Sequence, residues 1–277
     1  MDKAHKETDV ILYKLEKALR KEYSQEFAKL KKAIKESIGS MDIDKSLTPI
    51  ERYTQAQKYN RLDKIEETIA SEINRINKQS IKEVNKNLYN IYKLNYKDSI
   101  DGFGVLLAIN IQKTPKNADI DLEESPFDTI ALDNIKDITE LRKAVNRQFI
   151  TAIMNGENTD KLIKRIQKIT ELKLSDITRI ARTQTTRLEN EARLDACKVV
   201  ADMGYRMVKR WDCIHDNRTR PAHKQANGQI VDYDKPFIVD GEKLMIPGDA
   251  NGSAGNIINC RCTIVSGIMK EKIIKWK

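Results

Sequence analysis

The chain has 277 residues, of which 40% are hydrophobic, 33% charged and 6% aromatic, and it carries a net charge of +9. That length allows one large domain or two modest ones, and the charged, aromatic-poor balance suits long amphipathic helices better than a compact all-β protein. Four cysteines exclude a disulfide scaffold, no apolar run is long enough to span a bilayer, and the first residues lack the apolar core of a signal peptide; together these predict synthesis in a reducing cytosol.

The charge is unevenly distributed. Residues 1–100 hold 21 Lys/Arg against 16 Asp/Glu, residues 101–140 hold 3 against 9, and residues 141–277 hold 26 against 16. An acidic interval thus separates two basic parts and marks a boundary. A basic surface predicts attraction to polyanions, nucleic acid first; the plainer alternative is a soluble, Lys-rich chain.

Taken in chain order, Leu12, Leu15, Leu19, Tyr23, Phe27, Leu30, Ile34 and Ile38 step by three or four and predict one long helix stopping at Gly39. Thr48, Pro49 and Glu51 announce a second start, with a cap, a proline at the first helical position and a capping box. Its stripe runs through Leu62, Ile65, Ile69, Ile73 and Ile76, shifts phase near Ser80, and continues at Val84, Leu88 and Ile91 towards Tyr96. Two such thin helices need a partner for their stripes, and an antiparallel hairpin within the chain is favoured over an intermolecular coiled coil. Residues 98–128 read as a linker, with Val105–Ile111 a strand or a buried helical turn. A helix from about Asp137 ends at Gly156. A short one starts at Thr159 or Asp160, and another is capped by Ser175 and ends at Gly204. Beyond Gly204, "YRMVKRW", "QIVDY", "PFIV", "KLMI" and "CTIVSGI" are short strand candidates separated by Asn-Gly, Asp-Gly and Pro-Gly turns. The predicted class is α+β: a long-helix amino-terminal region, then a small domain of helices and a short-stranded, mainly antiparallel sheet. The expected divisions are 1–128, helical with an acidic linker; 129–268, the α+β domain; and 269–277, a basic tail.

The residues with chemical potential crowd into 211–262, as "WDCIHDNRTRPAH" and "NCRC". Cys213, His223, Cys260 and Cys262 would supply a Cys₃His set for zinc, with His215 as a spare. Cys-x-Cys is tighter than the usual Cys-x₂-Cys, however, and on a strand both thiols would share one face and reach one ion only with distortion. The alternative is a metal-free cluster of small residues closing a sheet. Cys197, on a helix, reads as core. A hydrolytic reading casts His223 as general base, Asp216 as its orienting acid, and Arg218 or Arg220 as a phosphate clamp. The structural alternative pairs Asp216 with an arginine and gives His223 a backbone partner. On the helix "RIARTQTTRLENEAR", Arg182, Thr186 and Glu189 or Asn190 share a face that would anchor the loop and sheet that follow. Arg182 is expected to be partly buried and paired with Asp216 or a neighbour.

In order and spacing, these pieces resemble the phage minor capsid, or head morphogenesis, family named after protein F of phage Mu. The resemblance runs from about Asn158 to Gly267, through "NGENTDKLIKRI", "IARTQTTRLENEAR", Gly204, "KRW", "DNRTRPAHKQANGQIV", a Pro-Gly loop and "NCRC". Arg182, Trp211, Asp216, Arg220, His223, Cys260, Arg261 and Cys262 fall on its characteristic positions, and Cys-Arg-Cys would close the small domain at 129–268. Many relatives have glutamate where this chain has Gln184, and some have Cys-x-x-Cys near the Asp motif where this chain has Cys213-x-His215. The resemblance implies a non-enzymatic virion component inside the capsid, made in the host cytoplasm and present in few copies. Its implied partners are the portal protein, double-stranded DNA without sequence preference, and the scaffold or major capsid protein. Its roles would be procapsid assembly, DNA packaging or genome delivery, with no membrane contact; no cofactor is expected other than the structural zinc that Cys213, His223, Cys260 and Cys262 could hold. The competing reading is a small nuclease or phage-borne effector using His223, Asp216 and Arg220.

Overall fold

The computed structural model describes residues 2–38, 46–58, 62–111, 138–270 and 273–277. Helices α1 (Lys3–Ile38), α2 (Pro49–Lys58), α3 (Leu62–Leu107), α4 (Ile138–Met154) and α5 (Thr159–Asp202) come first. Strand β1 (Met207–Asp212), helix α6 (Pro221–Ala226), strands β2 (Ile230–Asp232), β3 (Phe237–Val239) and β4 (Glu242–Leu244), helix α7 (Ala254–Ile257), and strands β5 (Thr263–Lys270) and β6 (Ile273–Trp276) follow. The architecture is α+β, with long helices leading and a small antiparallel sheet at the end.

Local signals set several boundaries. The Thr48 hydroxyl accepts from Glu51 N–H at 3.4 Å while the Glu51 carboxylate accepts from Thr48 N–H at 2.8 Å, the reciprocal capping box. Gly156 and Gly204 take positive φ and close α4 and α5 with paired 5→2 and 6→1 backbone bonds: Gly156 to Ile153 and Glu157 to Ala152, then Gly204 to Ala201 and Tyr205 to Val200. Two readings are corrected. Residues 98–107 are helix rather than linker, because Ser99, Ile100 and Phe103 are buried and outweigh the turn propensity of "DSIDGFG". The strand option at Val105–Ile111 falls with it: Val105 and the two leucines after it finish α3, and Val105 is exposed. Ser175 caps nothing: α5 runs unbroken through it, since Ile166, Thr170, Ile177 and Ala181 continue one buried stripe. Lys161 N–H instead finds its cap at the Asn158 side chain, 3.0 Å away. Gly39 as a helix stop, the start at Asp137, and the acidic stretch 112–128 lie outside the described residues.

Contacts divide the chain into two compact units, to both of which α1, α3 and α5 contribute. One unit takes Glu16–Glu83 and Pro126–Thr178. Its core joins Leu30 and Ile34 of α1, Ile69 and Ile73 of α3, Val145 and Phe149 of α4, and Ile163 and Ile166 of α5. Within it α1 and α3 run antiparallel: Tyr23 hydroxyl donates to Asn77, and Glu26 pairs with Arg75 at 2.6 Å. Buried Asn77 and Ser80 occupy the point where the apolar stripe of α3 shifts phase.

The other unit takes Met1–Leu15, Val84–Ser125 and Arg179–Lys277. A four-stranded antiparallel sheet, in order β2-β1-β5-β6, is accompanied by the hairpin β3-β4. In the central pair Trp211 stands opposite Ile264 and Asp212 opposite Thr263. Trp211 and Phe237, both 0% exposed, meet edge to face with centroids 5.3 Å apart; such a pair adds about 1 kcal/mol to its burial. The basic terminal segment contains strand β6. It can lie against β5 because Gly267 has no side chain: a Cβ there would sit 2.8 Å from atoms of Ile274 and Trp276.

Candidate functional site

The site is assembled from the last part of α5, the loop and helix after β1, and the segment entering β5. Helix α5 presents Thr183, Thr186, Asn190 and Arg193 at helical spacing. Each binds the backbone of the Asn259–Ile264 segment. Thr183 Oγ1 accepts from Asn259 N–H at 3.1 Å, and Thr186 donates to the Cys260 carbonyl. Asn190 Nδ2 donates to the Cys262 carbonyl at 3.2 Å while its Oδ1 accepts from Ile264 N–H at 2.7 Å. Arg193 donates to the Ile264 carbonyl at 3.3 Å. The side chains of one helix face thereby take over backbone hydrogen bonding along the segment that leads into β5.

Because that segment is held by a helix, "NCRC" is not a strand. Asn259 has φ +55°, and β5 begins only at Thr263. The expectation that Cys260 and Cys262 would share one face of a strand, and reach one ion only with distortion, is therefore replaced by a bend in which the two thiols converge. Cys262 N–H donates to Cys260 Sγ at 3.4 Å. His223 Nδ1 lies 3.3 Å from Cys262 Sγ and 3.6 Å from Cys260 Sγ. His223 is delivered by α6, which starts on Pro221 and is tied to β1 by Cys213 N–H to Asn227 Oδ1 at 2.9 Å and Gly228 N–H to the Trp211 carbonyl at 2.8 Å. The imidazole packs edge-on to Trp211, with centroids 5.7 Å apart. His223, Cys260 and Cys262 are each no more than 3% exposed, and their donor atoms all lie within 4.8 Å of one another. The neighbouring Cys262 holds Cys260 well below the usual cysteine range, and Cys260 with burial pushes Cys262 above it. Cys213 is buried in the same apolar cluster but is not one of these three groups, and His215 is exposed.

The Asp216 loop encloses this cluster. Asp216 accepts two bonds from Arg261, at 2.8 and 2.9 Å, and also accepts from Arg218 N–H and the Thr219 hydroxyl. The Arg261 bonds, then those of Thr219 and Arg218, hold the Asp216 carboxyl well below the ordinary range. Arg220 donates to the Ile258 carbonyl. The guanidinium that engages Asp216 is thus that of Arg261; Arg182 is exposed on α5, where partial burial was expected. The hollow between Ile214, Arg220, His223 and the Cys-Arg-Cys segment measures about 20 Å³, which is space for a single water and no more.

Sequence reasoning missed a second buried group in the same unit. His5 Nδ1 lies 2.6 Å from Glu189 Oε1, and Arg193 reaches Glu189 at 3.1 Å, Asn95 at 3.0 Å and Asp2 at 3.0 Å. Thr263 donates to Glu189 at 3.0 Å. Burial works against the His5 charge, but Glu189 outweighs it and raises the His5 pKa; Asp2, despite burial, is held low by Arg193. Polar residues at 186, 189, 190 and 193 on one face were the only sequence signal for this group.

Comparison with known proteins agrees with these motifs. Residues 143–265 match the family model described as Phage Mu protein F like protein. The minor head protein GP7 of Bacillus phage SPP1 is 26% identical over 262 residues, covering 93% of this chain and 83% of that protein. The NAD(+)–arginine ADP-ribosyltransferase EFV of Enterococcus faecalis (strain ATCC 700802 / V583) is 30% identical over 135 residues, covering 48% of this chain and 28% of that protein. The stretch 143–265, which holds Trp211, Asp216, His223 and the Cys-Arg-Cys segment, is thus similar to the Phage Mu protein F like family.

Proposed function

We propose that this chain is a minor head protein of a tailed phage, acting in head morphogenesis as a non-enzymatic virion component. The observation that carries this reading is the 26% identity to a minor head protein along 93% of the chain. The site supports the non-enzymatic part. His223, the candidate base, is 2% exposed and faces two thiols, Asp216 is saturated by Arg261 and its own loop, and the hollow beside them is too small for a nucleotide. A general base must reach its proton, and the buried His223 imidazole faces Cys260 and Cys262 instead of solvent.

Within that reading the protein sits inside the capsid near the portal, contacts the portal protein and packaged DNA, and serves packaging or delivery; scaffold and major capsid protein are further partners. The net charge of +9 supports a sequence-independent contact with DNA. Among the described residues no helix is long and apolar enough to cross a membrane. The test is assembly: the chain is co-expressed with the major capsid, scaffold and portal proteins of its phage, and particles are purified by sedimentation. The chain should co-sediment with procapsids, and omission of the portal should release it. Particles that never contain it, or plasmid cleavage abolished by His223→Ala, would refute the reading.

A further inference from the structure

We propose that His223, Cys260 and Cys262 bind a zinc ion that fastens the α6 segment to the start of β5, with Cys213 as fourth ligand. The inference stands on geometry and is independent of the assignment to a phage head.

The distances suit an ion. Zinc binds imidazole nitrogen at about 2.0–2.1 Å and thiolate sulfur at about 2.3 Å in tetrahedral sites, which places ligand nitrogen and sulfur about 3.6 Å apart. His223 Nδ1 is 3.3 Å from one sulfur and 3.6 Å from the other. An imidazole N–H directs one hydrogen bond at one acceptor, so a simple thiol–histidine contact leaves the second sulfur unexplained, whereas a cation between the three atoms accounts for both approaches. Two soft thiolates and an imidazole select zinc over hard cations such as magnesium or calcium.

The donors are also arranged in advance. Asn259 in the left-handed region and the Thr186 and Asn190 bonds to the Cys260 and Cys262 carbonyls bend the backbone so that both sulfurs point inward. The Cys262 N–H aimed at Cys260 Sγ favours a thiolate at that position. Arg261, between the two cysteines, turns outward to Asp216, which keeps a competing cation away from the sulfurs. Cys213, just past β1 and 4% exposed, lies in the same buried cluster but outside the group of three donors within 4.8 Å, so it would have to turn towards them to complete a closed, water-free site. Binding displaces the thiol protons to solvent as the sulfurs become ligands. The ion would bridge residues 37 and 39 positions apart in sequence, restricting the unfolded chain as a cross-link does.

The test uses the full-length protein. After expression with zinc and exhaustive dialysis against metal-free buffer, elemental analysis should find about one zinc per chain. His223→Ala and Cys262→Ser should lose nearly all of it, and Cys197→Ser, at a buried thiol outside the cluster, should keep it. In case those variants do not fold, chelator-stripped wild type is titrated with Co²⁺. A thiolate-to-cobalt charge-transfer band saturating at one equivalent, with the intense visible bands of a tetrahedral site, is expected. Zinc-free wild type that shows no such band overturns the proposal. Full zinc retention by Cys213→Ser overturns the assignment of the fourth ligand.

Discussion

Asn190 is a single side chain whose hydrogen-bonding capacity is wholly spent. It donates to the Cys262 and Thr186 carbonyls and accepts from Ile264 N–H, with the Thr263 oxygen 3.3 Å from its Oδ1, at 0% exposure. Asn190→Ala strands a buried carbonyl and a buried N–H, each worth about 1–3 kcal/mol. Urea unfolding should show a loss of about 3 kcal/mol in midpoint stability with an unchanged slope. His5 carries a pH signature. Its folded pKa is raised by Glu189 against the opposing effect of burial. The stabilisation is therefore complete below the unfolded histidine value of about 6.5 and is lost as pH rises through the higher folded value. Thermal melts should find the gap between wild type and His5→Gln wide at pH 6 and narrower at pH 9; a gap independent of pH would rule out the charged His5–Glu189 pair.

Elements end where backbone chemistry permits, and two ends can be checked. Helix α3 closes with Ile109 N–H bound to the Gly104 carbonyl, but its left-handed residue is Ala108, at φ +54°. A non-glycine residue there costs about 1–2 kcal/mol, partly offset by the freedom that glycine adds to the unfolded chain. Ala108→Gly should therefore stabilise the protein by about 0.5–1 kcal/mol in thermal denaturation. Gly248, in the Pro-Gly loop, lies at φ +82° with the Arg187 backbone 3.0 Å from where its Cβ would be. Gly248→Ala should cost about 2 kcal/mol or more from strain and displacement of the loop from α5, read as a lowered melting temperature. At this scale the sequence was most legible. Gly156, Gly204 and the Thr48–Glu51 box act within a few residues, and β1 and β5 announce themselves as short runs between turn residues. Ser175 misled because capping is a local preference and the buried stripe beneath it is not. The strand at Ile273–Trp276 was missed because four residues of a basic segment carry no periodicity; Gly267 on its neighbour makes the room for it.

For the whole molecule, the proposed function predicts that a +9 chain binds DNA through phosphate neutralisation. Filter binding should give the same affinity for unrelated duplexes and a steep fall with added salt, and plasmid should remain intact with or without divalent ions. Sequence preference, or nicking lost in His223→Ala, would move the protein into another class. The antiparallel pairing of α1 with α3 was expected because neither thin helix can bury its stripe alone, and Tyr23–Asn77 and Glu26–Arg75 are that pairing realised.

By itself the sequence determined the helical periodicities, the glycine and capping-box boundaries, the α+β class, and the ordered motifs that mark the family, because all of these are written in neighbouring residues. It also placed Thr186 and Asn190 on an anchoring face. Only the tertiary structure decided that Arg261 takes Asp216, that Cys260 and Cys262 converge in a bend instead of lying on a strand, and that His5 meets Glu189 across 184 positions of chain. Those outcomes depend on groups far apart in sequence entering one buried volume, where an unmet donor or charge is expensive and each must take whichever partner the packing brings within reach.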